Sequence, residues 1–208
     1  MNFDRLAPHY DWMEAVTAGA RLQRARTHWL DALAGCHNVL SVGEGHGRFA
    51  AAFLARFPHA KLTCVEASPG MIEVGQRRTH ACRERVRWEC AEVLAWQPRE
   101  KYDAIVTCFF LDCFPAETLA QVVDHLAGAG ERKVVWLVTD FLLPNSGLSR
   151  LRARAVHALM YSFFRVAVDL PARRLTPPAR LLQDHGFKLQ SRHDSEWGLL
   201  RTDFWRRG

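Results

Sequence analysis

No run of apolar residues in this chain approaches the ~18 that a bilayer-crossing helix needs. Its opening, MNFDRLAPHYDW, lacks the basic stretch followed by an apolar one that marks a secretory leader. There is no low-complexity tract, no internal repeat and no linker long enough to separate domains. The six cysteines, Cys36, Cys64, Cys82, Cys90, Cys108 and Cys113, include no CxxC pair, and three of them (Cys64, Cys90, Cys108) sit in apolar, strand-like runs. They read as small hydrophobes in a reducing compartment rather than as disulfide partners or metal ligands, so the expectation is a cytoplasmic protein without a metal site. What remains is a chain of 208 residues, 49% hydrophobic and 24% charged, which fits one ordinary globular domain.

The middle of the chain alternates short apolar runs with helical periods. Strands are expected over 39–42, 62–65, 86–90, 104–108 and 134–138. Between them, Phe49, Phe53 and Phe57 share one helical face, and Ser68 followed by Pro69 reads as an N-cap opening a helix to about Thr79. Pro115 opens a further helix bearing Leu119, Val122, Val123 and Leu126 on one side, with Gly128 and Gly130 expected to stop it. The gaps between strands suit strand–helix–strand units, and apolar strands of this kind are covered by helices on both faces of a parallel sheet. After a helix over 179–185, residues 187–190 and 199–205 read as two strands joined through Trp197-Gly198, an antiparallel hairpin. The expectation is a Rossmann-like, doubly wound, mostly parallel seven-stranded sheet ending in that hairpin. The single domain divides into an N-terminal helical cap (1–34), a ligand-binding core (35–141), and a late helical lid with the hairpin (142–208).

Ligand chemistry is written in the loop after the first strand, Gly43-Glu44-Gly45-His46-Gly47-Arg48. Glycines there let the backbone turn sharply and approach a ligand. In the dinucleotide pattern G-x-G-x-x-G the third glycine would fall on Arg48, and the Gly-Lys-Ser/Thr of a phosphate loop is absent. Glu66 ends the next strand, where a carboxylate can accept both hydroxyls of a ribose.

These residues resemble the class I S-adenosylmethionine-dependent methyltransferases, most firmly over 39–141. The family's V-L-D-x-G-x-G-x-G stands here as Val39-Leu40-Ser41-Val42-Gly43-Glu44-Gly45-His46-Gly47, with Ser41 in place of the acid and Glu44 adding one. The resemblance implies S-adenosylmethionine as cofactor, held by Gly43, Gly45 and Gly47, with Glu44 facing the methionine ammonium and Glu66 on the ribose. It further implies Ala67 and Met71 beside the adenine, Glu92 and Val93 at the adenine amino group, and Cys108 and Phe109 along the methionine. The opening F-D-x-x-A-x-x-Y-D (residues 3–11) is similar to the branch related to ubiquinone/menaquinone C-methyltransferases, which puts Tyr10 over the cofactor.

Methyl transfer from a sulfonium is an in-line displacement that needs positioning more than acid–base help. Asp112, Asp140 and His9 are the candidate bases, with His46 behind them. The adjacent His193-Asp194-Ser195 cannot converge on one atom and is no triad. Cys108-Phe109-Phe110-Leu111 lacks the prolines of the [N/D/S]-P-P-[Y/F] loop found in nucleic-acid amino methylation, so nucleic acid is disfavoured as a partner and a small aromatic or hydrophobic acceptor is favoured. The net charge of +6 is concentrated late, since residues 150–208 hold eleven Arg, one Lys and only five acids. That leaves open an acidic acceptor under a basic lid, peripheral contact with an anionic membrane, or a non-catalytic RNA- or membrane-binding protein. A nicotinamide-dependent oxidoreductase is the competing enzyme reading. The sequence is silent on oligomeric state.

Overall fold

A computed structural model describes residues 19–142 and 175–208. Seven strands form one sheet: β1 (Asn38–Val42), β2 (Lys61–Glu66), β3 (Val86–Cys90), β4 (Tyr102–Cys108), β5 (Gly130–Phe141), β6 (Lys188–Ser195) and β7 (Leu200–Arg207). Their order is β3-β2-β1-β4-β5-β7-β6. The first five pair in parallel, while β7 runs antiparallel to both β5 and β6. The helices are α1 (Gly19–Thr27), α2 (Arg48–Arg56), α3 (Pro69–Arg78), α4 (Ala116–Ala129) and α5 (Ala179–Asp184).

The central strands are apolar because both faces of the sheet are buried. Successive residues feed two separate cores. Leu40, Ile105, Val134, Trp136 and Val138 join Leu119, Val122 and Leu126 of α4. Val39, Ala104, Val106, Val135 and Leu137 join Phe49, Phe53 and Leu54 of α2. The helix starts follow local chemistry: Ser68 Oγ accepts the Met71 N–H at 3.2 Å with Pro69 in the first turn, and Pro115, in an extended conformation, precedes α4.

Several boundaries differ from expectation. Gly128 lies inside α4 instead of ending it, and Gly130, in extended geometry, is already the first residue of β5. Burial along the helix outweighs the intrinsic cost of one glycine. Strand β5 is therefore twelve residues long. The hairpin strands β6 and β7 also run beyond the expected 187–190 and 199–205, because their charged positions pair across the ladder. Arg192 binds Asp203 bidentately at 2.7 Å through both nitrogens, and Arg201 binds Asp194 at 2.7 and 2.8 Å. Arg207 turns to the carbonyls of Ala127, Gly130 and Glu131. Much of the positive charge of the hairpin is thus absorbed by the fold. The arginine-rich residues 150–174 lie outside the described residues, as do His9 and Tyr10.

Truncating Phe53, fully buried on the α2 face, leaves a cavity between helix and sheet. Phe53→Ala is expected to lower unfolding free energy by about 3–5 kcal/mol, read from urea denaturation.

Candidate functional site

Strand order reverses direction between β1 and β4, since β2 and β3 lie on one side of β1 and β4 and β5 on the other. In open sheets the crevice outside the strands' carboxyl ends at such a point is where ligands bind. A cleft opens there, lined by the loop 43–46, by Val65, Glu66, Ala67 and Met71, by Ala91, Glu92 and Val93, by Cys108, Phe109 and Phe110, and by Arg26.

The glycine loop forms its floor. Gly43, Gly45 and Gly47 all have left-handed φ, at 66°, 63° and 81°. At Gly45 a Cβ would project into open space, so the missing side chain leaves room for a ligand as well as relieving strain. Gly43 is covered by the Phe110 ring, whose Cδ2 would stand 2.1 Å from a Cβ there. Gly47 faces the backbone of Gly75 in α3 and is not part of the cleft wall.

Two glutamates hold the loop. Glu66 Oε2 accepts the Gly45 N–H at 2.9 Å and Oε1 the Ser68 N–H at 3.0 Å. A carboxylate offers about four lone-pair sites, so each oxygen retains capacity for a hydroxyl. Burial pushes the Glu66 carboxyl above its usual range, while the N–H groups of Ser68, Gly45 and Ala67 act the other way. Glu44 turns its Oε1 to the Ala50 N–H at 2.8 Å and its Oε2 to the Ser41 hydroxyl. Gly47 itself offers no side-chain cap to α2, so Glu44 supplies the acceptor for the helix's first turn. The Ser41 hydroxyl thus holds the Glu44 side chain against the end of β1. Burial raises the Glu44 carboxyl from 4.5 to about 7.

Arg26 has no signature in the sequence, being one basic residue among several before the first strand. The fold carries it from α1 into the cleft, buried, with its guanidinium 5.1 Å from the Phe109 ring centroid. Its charge is felt by Glu44 and by Cys108. Phe109 adopts a left-handed φ of 55° and lies 5.1 Å from the Phe141 ring, forming an aromatic end to the cleft. Burial pushes the Cys108 thiol up to about 12, so that part of the wall is neutral at physiological pH.

Of the sequence-derived positions, Gly43, Glu44, Gly45, Glu66, Ala67, Met71, Glu92, Val93, Cys108 and Phe109 converge on this cleft, with His46 beside them. His46 Nε2 accepts the Arg48 Nε–H at 3.0 Å. Asp112 and Asp140 are buried next to the cleft but outside its lining. No group of three or more metal-ligating side chains gathers among the described residues.

A doubly wound sheet with a glycine loop, a buried acid ending the neighbouring strand and an apolar wall at its switch point has the layout in which open α/β sheets bind ligands. Residues 39–130 match the methyltransferase domain family. The malonyl-[acyl-carrier protein] O-methyltransferase of Acetivibrio thermocellus is 28% identical over 162 residues, 76% of this chain and 51% of that protein. The chain thus spans about half the length of this curated relative. The O-methyltransferase family 2 protein of Planctomyces limnophilus, solved with apigenin, superposes with a TM-score of 0.76 at 14% identity, over all of this chain and 62% of that one. The magnesium protoporphyrin IX methyltransferase of Synechocystis, solved with S-adenosylhomocysteine, gives 0.67 at 15% identity, over 89% and 83% of the two chains. In its core sequence the chain is thus similar to methyltransferase domains, and it has the fold of the solved S-adenosylmethionine-dependent methyltransferases.

The folded Glu44 carboxyl keeps its proton to about pH 7, whereas the unfolded one releases it near 4.5. Its contribution to stability is therefore full below 4.5 and is lost as pH rises to about 7. Glu44→Gln is expected to flatten the stability profile across that window, as read from denaturant midpoints at successive pH values.

Proposed function

We propose that this chain transfers the methyl group of S-adenosylmethionine to a small acceptor with an aromatic or apolar body. The observation that carries the reading is the cleft itself: glycine loop, Glu66, Arg26 and the Phe109 wall meet at the switch point of the sheet. The donor set fits the cofactor. The free lone pairs of Glu66 accept two vicinal hydroxyls, and the space at Gly45 admits the sugar and chain beside the backbone. Ala67, Met71 and Val93 offer apolar surface to a flat base, with Glu92 at its edge to accept from an amino group. At the opposite end Arg26 binds a carboxylate and Glu44 faces an ammonium, which together suit an amino-acid tail. Tyr10 is proposed to cover the same cleft from outside the described residues.

S-adenosylmethionine supplies an activated methyl group on a sulfonium. The protein's role is then to align donor and acceptor and exclude water. Phe109, backed by the Phe141 ring, forms an apolar end wall for the acceptor, and the neutral Cys108 thiol gives no competing nucleophile. The candidate bases Asp112 and Asp140 lie outside the cleft lining, with Asp140 Oδ1 on the Phe110 N–H, and His46 Nε2 is engaged with Arg48. This favours an acceptor acidic enough to ionise with little help, such as a phenol, enol or carboxylic acid. The names of the O-methyltransferase relatives support transfer to oxygen.

Calorimetric titration tests the reading: S-adenosylhomocysteine is expected to bind and NAD not to bind. Glu66→Ala removes charge-assisted bonds worth about 1.5–3 kcal/mol, so the dissociation constant should rise roughly ten- to hundred-fold. Gly45→Val, folded by circular dichroism, should not bind at all, because its side chain enters the space a ligand requires. A parent that prefers NAD, or either variant binding as the parent does, would sink the assignment.

A further inference from the structure

Asp112 and Asp140 are each less than one-tenth exposed and lie at the carboxyl edge of the sheet, outside the cleft lining. Asp140, next to last in β5, directs Oδ1 to the peptide N–H of Phe110 at 3.2 Å. Asp112, in the turn Leu111–Cys113 that follows β4, accepts the peptide N–H of Phe141. The contacts cross, so each chain segment is held by an acid from the other. The Asp112 N–H also faces the Asp140 carboxyl. The backbone so tied carries Phe110, whose ring covers Gly43, and Phe141, whose ring meets Phe109.

We propose that the crossed Asp112–Asp140 pair is a positioning device for methyl transfer, locking the Phe109–Phe110 turn to the end of β5 and so setting the cleft wall without touching either reactant. The cofactor aspect of this inference rests on the methyltransferase reading above. Two buried carboxyl groups in one site cannot both ionise cheaply. Burial raises Asp112 to about 6 and lifts Asp140 well above its usual range, the neighbouring Asp112 charge adding to the latter. Other titratable groups around them are Cys113 of the same turn, with Sγ 3.6 Å from Asp112 Oδ1, Cys108 of β4, and Asp203 of β7, which is itself paired with Arg192. With a proton retained, both acids keep acceptor oxygens for the crossed N–H groups while only one buried charge is carried. A folded acid that holds its proton above the unfolded value stabilises the protein at low pH, and this contribution is lost as pH rises through about 6 and beyond.

The test uses Asp112→Asn and Asp140→Asn, which keep an oxygen for the peptide N–H without a titrating proton, and Asp140→Ala, which removes it. Thermal unfolding of the free protein is followed from about pH 5 to 9, alongside titration with S-adenosylhomocysteine. The Asn variants should gain stability relative to the parent as pH rises. They should bind S-adenosylhomocysteine within about three-fold of the parent, with Asp140→Ala at least about ten-fold weaker. Parallel pH curves for the parent and both Asn variants overturn the proposal. So does a folded Asp140→Ala with parental affinity, the result a general base outside the binding contacts would give. If Asp140→Ala does not fold, the Asn curves decide. The unfolding arm needs no ligand, so a parent that fails to bind S-adenosylhomocysteine refutes the methyltransferase reading while the pair is still judged by its pH curve.

Discussion

The cleft depends on a loop of backbone held open by two carboxyl groups. A glycine loop with three left-handed residues has high conformational entropy to lose and few side chains of its own with which to offset it. Glu66 ties Gly45 to the start of α3, through the N–H groups of Gly45 and Ser68. Glu44 ties the same loop backward to Ser41 in β1 and forward to Ala50 in α2. Strand, loop and helix on both sides of the switch point are thereby fixed by hydrogen bonds to acids with restricted access to water. Where such an acid is ionised, its bonds are roughly twice as strong as neutral ones.

Arg26 couples the region before the first strand to this assembly. Helix α1 is anchored by packing against α2 and β7, by the Trp29 indole, which donates to the Thr202 carbonyl at 3.0 Å, and by the Thr202 hydroxyl, which donates to the Ala25 carbonyl at 3.2 Å. The antiparallel strand β7 thus does more than extend the sheet. It supports the helix that delivers a cation into the cleft, 5.1 Å from the Phe109 ring, where the quadrupole of the ring attracts it. The cleft then has a polar rim of Glu66, Glu44 and Arg26 and an apolar wall of Val93, Met71, Cys108 and Phe109, a distribution suited to a ligand with a charged tail and a reactive, poorly solvated centre.

The alternation of apolar strands and amphipathic helices was legible because a parallel sheet buried on both faces leaves continuous apolar runs in the sequence. The candidate cleft was legible for a different reason. Glycine spacing and the acid ending β2 are local features, and their strand–loop–helix context follows from the same alternation. The end of α4 escapes local reading at Gly128 because a helix terminus reflects the balance of propensity against burial, and Leu126 and Ala129 are buried on either side of that glycine. Glu44 was legible as an extra acid, but its bond to the N–H of Ala50 was not, since it exists only once loop and helix are folded against each other.

The sequence by itself determined the sheet, its doubly wound order of elements and the residues of the glycine floor, because periodicity and turn chemistry act over a few neighbouring positions. Only the tertiary structure decided which charges face the cleft. Arg26 enters it from a helix whose place is set by contacts more than a hundred residues away. Asp112 and Asp140, placed by topology at the expected edge, turn instead to the peptide N–H groups of Phe141 and Phe110. The reason is physical: a buried carboxyl group takes whatever donors the packed chain presents to it, and those donors come from segments distant in sequence.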